Sequence, residues 1–255
     1  MYTDAHCHLE MLDLPPDEAI ARARAEEVTT LVTVGVDLAS SAECVGTAMA
    51  YDEVWAVVGI HPHNAIEATE HVLARLRGLA EHPAVVAIGE TGLDYFRDHS
   101  PRVRQEEAFR EQIRLAKELD RTLMIHVREA HDDLVAILES EGAPERTVFH
   151  CFSGDTELVK RCADEGWYVS FAGNVTFRNA RDLREAARVA PLELLLTETD
   201  SPYLSPHPHR GKPNEPARIP LVVAELAELH GLPTWELGRQ ASANARAAFR
   251  LDGRG

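Results

Sequence analysis

Three polar side chains near the start of the chain, Asp4, His6 and His8, alternate with other residues in the stretch YTDAHCHLEM (2–11). Side chains two residues apart in a β-strand point to the same face, so a strand here places these three together and turns Cys7 away. Two histidines on one face can converge on a single point. A polar edge strand is the alternative, and the HxH pair alone leaves both interpretations open.

Histidines and carboxylates also follow short apolar runs farther along the chain, and six of the 13 histidines lie at such positions. Imidazole and carboxylate groups together suit Zn, Mn, Fe or Co, and mixed sites also accept Mg. Four histidines and two carboxylates from five strands therefore suit a pair of divalent cations. The residues that end the runs are His6 and His8, His61 and His63, Glu90 and Asp94, His126 and Arg128, His150 and Ser153, and Glu198 and Asp200.

The apolar runs themselves have the length and composition of buried parallel strands. Their alternation with helical stretches over about 200 residues favours a (β/α)8 TIM barrel, in which the carboxyl ends of all strands meet at one rim. An open doubly wound sheet is the alternative, but it usually has a Gly-rich loop after its first strand, where HCHLEM stands here. The predicted strands are 1–7, 29–36, 54–60, 84–89, 121–127, 146–152, 166–172 and 192–198.

Several helix boundaries are also predicted. Ser100-Pro101 is expected to cap one helix, and Asp155 is expected to cap another that ends at Gly166. Two further helices at about 217–230 and 241–250 follow the last strand.

Length and composition predict one globular domain over residues 1–255, because 45% apolar residues suffice for a large core. We expect a cytoplasmic protein, because there is no apolar stretch of membrane length and no secretory signal. The four cysteines also lack the regular spacing of a disulfide framework. The net charge of −16 argues against a broad basic surface that coats nucleic acid. It does not exclude an enzyme that holds phosphate through bound cations.

Six short motifs resemble, in their order and spacing, those of the TatD-type metal-dependent deoxyribonucleases. They are DAHCH, GIHPH, GETGLD, HVR, HCFSG and ETDSPYL. This family is a branch of the amidohydrolase-like barrels, and the resemblance runs from Asp4 to the NEPA segment at 214–217. It implies two divalent cations (Mg, Mn or Zn), with DNA as the substrate. The implied activity is hydrolysis of phosphodiester bonds, as an exonuclease at single-stranded ends. No membrane and no obligate protein partner are implied.

Carried over residue by residue, the resemblance places one metal on His6, His8 and Asp200. It places the second on His126 and His150, with Glu90 as the bridging and catalytic carboxylate, and Asp200 is the best candidate for the general base. The residues expected to contact the substrate are His63, Arg128, Ser153, Arg210 and Lys212. Glu198 could help to hold a third ion.

Asp94 is expected to orient the turn at Glu90, and Gly89 and Gly92 are expected to permit that turn. The thiols of Cys7 and Cys151 are expected to pack away from the site, because both residues have the opposite parity to the neighbouring histidines.

Two other functions stay open. The same ligands could serve a TatD-like hydrolase of another substrate, such as an acyl-tRNA ester or an amide. Many carbonyl-directed relatives bridge their metals with a carboxylated lysine, whereas the three lysines here, Lys117, Lys160 and Lys212, do not end a strand. A non-catalytic metal-binding protein is the second alternative.

Overall fold

The computed structural model of the protein describes residues 1–97 and 99–251. Strands and helices alternate along the chain, as predicted. The strands are β1 Tyr2–Cys7, β2 Val28–Val34, β3 Val54–Val58, β4 Val85–Asp94, β5 Thr122–Arg128, β6 Thr147–Phe149, β7 Tyr168–Phe171 and β8 Leu195–Thr197. The helices are α1 Pro16–Ala25, α2 Leu38–Ala50, α3 Glu70–Ala80, α4 Arg102–Glu118, α5 His131–Glu141, α6 Thr156–Glu165, α7 Arg181–Val189, α8 Ile219–His230 and α9 Thr234–Phe249.

The eight strands form one sheet whose order follows the chain from β1 to β8. The first and last strands also meet, since the hydroxyl of Thr197 donates to the carbonyl of Thr3 over 3.3 Å. The sheet is therefore a nearly closed parallel barrel, and the prediction of a (β/α)8 fold with C-terminal helices is confirmed. The open doubly wound alternative does not apply.

Two strand boundaries differ from the prediction in ways that affect the site. β4 continues past residue 89 to Asp94, so Glu90 lies inside a strand and the turn predicted around it does not form. β6 ends at Phe149, and Cys151 has a positive φ of 43°, so strand alternation no longer applies there. The thiol of Cys7 is buried as expected, but Cys151 is only half-buried.

The helix signals were correct in part. The side chain of Asp155 accepts from the backbone N–H groups of Glu157 and Leu158, and Gly166 ends α6 with φ at 72°, as predicted. Ser100 does not cap α4, because its hydroxyl donates to the carbonyl of His63 over 2.7 Å. The last helix, predicted over 241–250, begins earlier, at Thr234.

The structure divides into two compact units. Unit 1 comprises residues 1–33 and 150–250, and unit 2 comprises residues 34–149 with Leu251. Each has its own buried apolar residues, among them Phe152 and Phe171 in unit 1 and Ile88 and Phe109 in unit 2. The single domain over 1–255 stays a prediction. Among the described residues, no helix is both long and apolar enough to span a membrane.

Gly92 lets β4 and β5 approach each other closely in unit 2. Its φ of 140° disfavours any L side chain, and a Cβ built there would lie 2.0 Å from the carbonyl oxygen of His126, its partner in the strand register. Gly92, the second glycine of the GETGLD motif, therefore allows close strand packing rather than a turn. It sets the position of the His126 backbone.

We expect Gly92→Ala to lower the free energy of unfolding by about 2–4 kcal/mol, because the methyl group must push β5 away. Urea denaturation measures this change. Gly78→Ala in α3 is the matched control, since a Cβ there meets nothing within 4 Å. The control should be neutral or slightly stabilising, and an equally mild effect of Gly92→Ala would contradict the role given to this glycine.

Candidate metal centre

Unit 1 brings together His6, His8 and Asp200, here called the His–Asp cluster. The Nε2 atoms of the two imidazoles lie 3.2 Å apart, and each lies 3.7 Å from Oδ1 of Asp200. Both histidines are buried, whereas the Asp200 side chain is 13% exposed. The structure thus places together the three residues that the sequence assigned to one metal.

The end of β1 is held to the end of β8 by Asp4. Its Oδ1 accepts from the backbone N–H of Thr199 over 2.8 Å, and its Oδ2 accepts from the Thr199 hydroxyl over 2.5 Å. Complete burial raises the pKa of the Asp4 carboxyl, although these hydrogen bonds oppose the shift. The backbone N–H of Asp200 in turn donates to the carbonyl of His6 over 3.0 Å. Asp4 therefore positions the cluster through the backbone.

His150 lies beside the His–Asp cluster in unit 1. Its ring stacks on that of His6 with a centroid separation of 3.8 Å and an interplanar angle of 12°. Its Nδ1 lies 3.1 Å from Oε1 of Glu198, which also accepts from the backbone N–H of Cys151 over 2.7 Å. A carboxylate that holds one ring nitrogen fixes the tautomer and leaves the other nitrogen as a ligand.

Glu198 is fully buried, and its Oε2 has no hydrogen-bond partner among the described residues. Its contacts support a positioning role towards His150, which the sequence interpretation missed. No spacing signal marks this role, because β8 ends at Thr197 and the contact of Glu198 with His150 is tertiary. A third ion at Glu198 stays a prediction.

Unit 2 brings together His61, Glu90 and His126, here called the His–Glu cluster. Oε1 of Glu90 lies 2.9 Å from His126 Nδ1 and 3.4 Å from His61 Nε2. Burial lowers the pKa of His61 to about 4, despite the opposing charge of Glu90. The sequence analysis placed both histidines of GIHPH at the end of β3 and expected His63 to contact the substrate. The structure gives His61 the position next to Glu90.

Asp94 joins His63 to His126. Its Oδ2 lies 3.0 Å from Nε2 of His63 and 3.1 Å from Nε2 of His126, while Oδ1 accepts from the backbone N–H of Arg97. Burial alone would raise the pKa of Asp94, but the hydrogen bonds from His126 and Arg97 outweigh it and hold the pKa well below its usual range. Asp94 orients His126 rather than a turn at Glu90, which corrects the sequence interpretation.

The other predicted substrate contacts lie on exposed segments. The guanidinium of Arg128 lies 3.8 Å from the centre of the Phe96 ring. Ser153 is exposed after β6, and Arg210 and Lys212 are exposed in the loop that follows β8. Their contact with a substrate stays a prediction.

A family model described as "TatD related DNase" matches residues 3–250. The chain belongs to the TatD family of metal-dependent hydrolases. This confirms the resemblance that the motifs carry, and the amidohydrolase-like fold agrees with it.

Two curated TatD relatives and one solved structure show how far the similarity extends. The chain is 42% identical over 255 residues to the "Uncharacterized metal-dependent hydrolase YabD" of Bacillus subtilis, covering 99% of this chain and 100% of the relative. It is 39% identical over 243 residues to the "3'-5' ssDNA/RNA exonuclease TatD" of Klebsiella pneumoniae, covering 92% of each. The crystal structure of the TatD homologue YJJV from Escherichia coli matches with a TM-score of 0.92 at 30% identity, covering 98% of each chain.

The donor atoms of this TatD-family protein fit divalent cations. Ligands about 2.1 Å from a tetrahedral ion lie about 3.4 Å from one another. The separations of 3.2 and 3.7 Å in the His–Asp cluster are close to that value. The His–Glu cluster offers the same two kinds of donor, and within each cluster the ligand atoms lie within 4.8 Å of one another.

We expect Glu198→Gln to weaken divalent metal binding about 10- to 100-fold, because an uncharged amide holds the His150 imidazole less firmly. Titration calorimetry of the metal-free protein with Mn²⁺ or Zn²⁺ measures the affinity. Glu193→Gln, an exposed residue of the same unit, is the control. A folded Glu198→Gln protein with the affinity of the parent would rule out the positioning role.

The buried neutral His61 makes the metal-free protein sensitive to acid. Its folded-state pKa of about 4 lies below the ordinary value of 6.5, so between these values the unfolded chain binds more protons. The free energy of unfolding should therefore fall as pH decreases from 7 to 4, by about 3 kcal/mol from this group.

Urea denaturation in EDTA at several pH values measures this dependence. His61→Gln should flatten the decrease, whereas His71→Gln, at an exposed position of α3, should leave it unchanged. If His61→Gln retains the full decrease, the titration belongs to other groups.

Proposed function

We propose that this TatD-family hydrolase cleaves phosphodiester bonds of single-stranded DNA from its ends by means of two divalent cations. The observation that carries the proposal is the His–Asp cluster, in which two buried imidazoles face a carboxylate that solvent reaches in part, its side chain being 13% exposed. The Klebsiella relative, named as a 3'-5' exonuclease of ssDNA and RNA, supports the substrate class.

In this proposal His6, His8 and Asp200 would hold one cation, and His126 and His150 would hold the second, with Glu90 as the carboxylate that the two ions would share. His61 adds a donor beside Glu90. Divalent cations supply a lowered pKa for water and neutralise charge on phosphate oxygens. Asp4, Asp94 and Glu198 orient the ligands through the contacts described above.

Asp200 is the proposed general base. Its carboxylate is the member of the His–Asp cluster that solvent reaches, while the two imidazoles are buried. A carboxylate beside the attacking water can take its proton as the oxygen–phosphorus bond forms and the ester P–O bond breaks, with the leaving nucleotide oxygen taking up a proton from solvent. The backbone of Asp200, held to His6, fixes where that proton is accepted.

The charge of the chain is compatible with an anionic substrate because it is unevenly distributed. The loop after β8 exposes His207, Arg210 and Lys212 a few residues beyond Asp200. Local cations govern the approach of a phosphate more than distant acidic groups, which salt screens beyond about 8 Å.

A carboxylated lysine as the metal bridge finds no support in the structure. Lys117 and Lys160 lie on α4 and α6, and Lys212 is exposed in the loop after β8. The phosphodiester proposal is therefore favoured over amide hydrolysis.

We expect Asp200→Asn to slow cleavage of end-labelled single-stranded DNA about 100- to 10,000-fold, because the general base is lost. Binding of the same DNA should largely persist. Asp164→Asn, at an exposed position on α6, is the matched control and should cleave at the parent rate. Treatment with EDTA should abolish cleavage, and addition of Mg²⁺, Mn²⁺ or Zn²⁺ should restore it.

Two other outcomes of these assays would assign a different function to the site. If metal-loaded protein leaves DNA intact but hydrolyses an acyl-tRNA ester or an amide, the site acts on a carbonyl. If it binds metal and turns over none of these substrates, the chain is a metal-binding protein without catalysis.

A further inference from the structure

A pocket of about 510 Å³ lies in unit 1 between the segment that follows β7 and the loop that follows β8. None of the described residues that line it carries a carboxylate. The lining combines an aromatic ring, two guanidinium groups, an imidazole, an amide and a hydroxyl, from Thr176, Phe177, Arg178, Asn179, His207 and Arg210.

Arg210 lies over an aromatic ring at one side of this pocket. Its guanidinium lies 4.3 Å from the centre of the Phe177 ring, and its Nη1 lies 3.4 Å from Oδ1 of Asn179. The residue is nevertheless exposed, so its other N–H groups and its outer face stay available. A guanidinium oriented in this way can bind phosphate through its fork of donors or stack on a base.

The positive charge of the two arginines in this pocket is not neutralised by an ion pair among the described residues. Several other guanidinium groups are paired with carboxylates, as in Arg77 with Glu118 and Arg114 with Glu141. Within the described part of the chain neither Arg178 nor Arg210 has an ion-pair partner. Two unneutralised cations thus face one pocket in a chain with a net charge of −16.

The pocket is also preorganised by contacts between its two walls. The backbone N–H of His207 donates to the Thr176 hydroxyl over 2.8 Å, and that hydroxyl donates to the carbonyl of Gly173 over 2.7 Å. A Cβ at Gly173 would lie 2.0 Å from the carbonyl oxygen of Leu204, so the two backbones are in direct contact. A rigid site loses little entropy when it binds a ligand.

We infer that this pocket is a nucleotide subsite, in which Arg210 and Arg178 bind the phosphodiester backbone of a single strand and a base stacks on the Arg210–Phe177 pair. The inference rests on the proposed function, because the same β8 loop carries Asp200. Loops after the seventh and eighth strands of such barrels frequently form phosphate sites. Stacking on an aromatic or guanidinium plane is tolerant of sequence and suits single strands.

Binding of a labelled oligothymidylate to the metal-free protein, followed by fluorescence anisotropy in EDTA, tests the subsite. Arg210→Gln and Phe177→Leu should each raise the Kd about 5- to 20-fold. Arg210→Gln should also reduce by about one the slope of log Kd against log salt, whereas Phe177→Leu should keep the slope. A purely structural role for these residues would not separate the two variants in this way.

The chain provides a matched control pair on α9. Arg239 lies 5.4 Å from the centre of the exposed Trp235 ring, which gives a cation–π pair outside the pocket. Arg239→Gln and Trp235→Leu should bind the oligothymidylate as the parent does. If they weaken binding as much as the pocket variants, the subsite is not where we place it.

Arg210→Lys and an abasic oligonucleotide separate stacking from charge. The lysine variant keeps the charge and should keep the salt slope, but it should lose affinity because it cannot stack. The abasic strand should bind equally to the parent and to Phe177→Leu, and more weakly to Arg210→Gln. Parent affinity in both Arg210→Lys and Phe177→Leu would overturn the stacking part.

The experiment distinguishes the subsite from the proposed reaction. If the pocket variants weaken binding and the protein cleaves no DNA, the subsite stands and the hydrolysis proposal fails. If the protein cleaves DNA while Arg210→Gln, folded as judged by its melting curve, binds as the parent does, the subsite is wrong and the reaction stands.

Discussion

The interaction on which the His–Asp cluster depends is the buried hydrogen bonding between Asp4 and Thr199, 195 residues apart in the chain. Burial of a carboxyl is costly unless donors replace the lost water, and here a backbone N–H and a hydroxyl do so. The contact joins the first strand to the residue after the last strand. It thereby brings His6 and His8 to Asp200, three side chains that no local structure could hold together.

The strands and the types of ligand were predictable because both follow from local rules. Apolar runs of six to eight residues between helical stretches indicate parallel strands, and barrel closure puts their carboxyl ends at one rim. Period-two alternation in β1 correctly placed His6 and His8 on one face, and the structure brings them to Asp200 as the resemblance implied. Once the strand is assigned, the directions of the His6 and His8 side chains follow from it.

The roles that the prediction missed are those of His61 and Glu198, which lie beyond the ends of β3 and β8. Strand alternation no longer applies there, and near Glu198 both Cys151 and Asp200 have positive φ values, of 43° and 52°. The choice between His61 and His63 depends on Glu90 and Asp94, which are distant in sequence. The role of Glu198 likewise depends on its contact with His150. Such pairings follow from tertiary structure, and spacing along the chain does not encode them.

The distribution of charge explains how an acidic protein could select an anionic strand. Several arginines on the helices are neutralised by nearby glutamates, as in Arg184 with Glu225, so acidic groups are in excess on those surfaces and repel phosphate. Arg178 and Arg210 have no such partner within the described residues. The acidic surfaces repel phosphate and the pocket attracts it. Both effects increase the difference between the affinities of a strand for the pocket and for the rest of the surface. Under the proposed function, a nucleic-acid strand is therefore favoured at the loops after β7 and β8, the second of which carries Asp200, and disfavoured at helix surfaces such as that of Arg184 and Glu225.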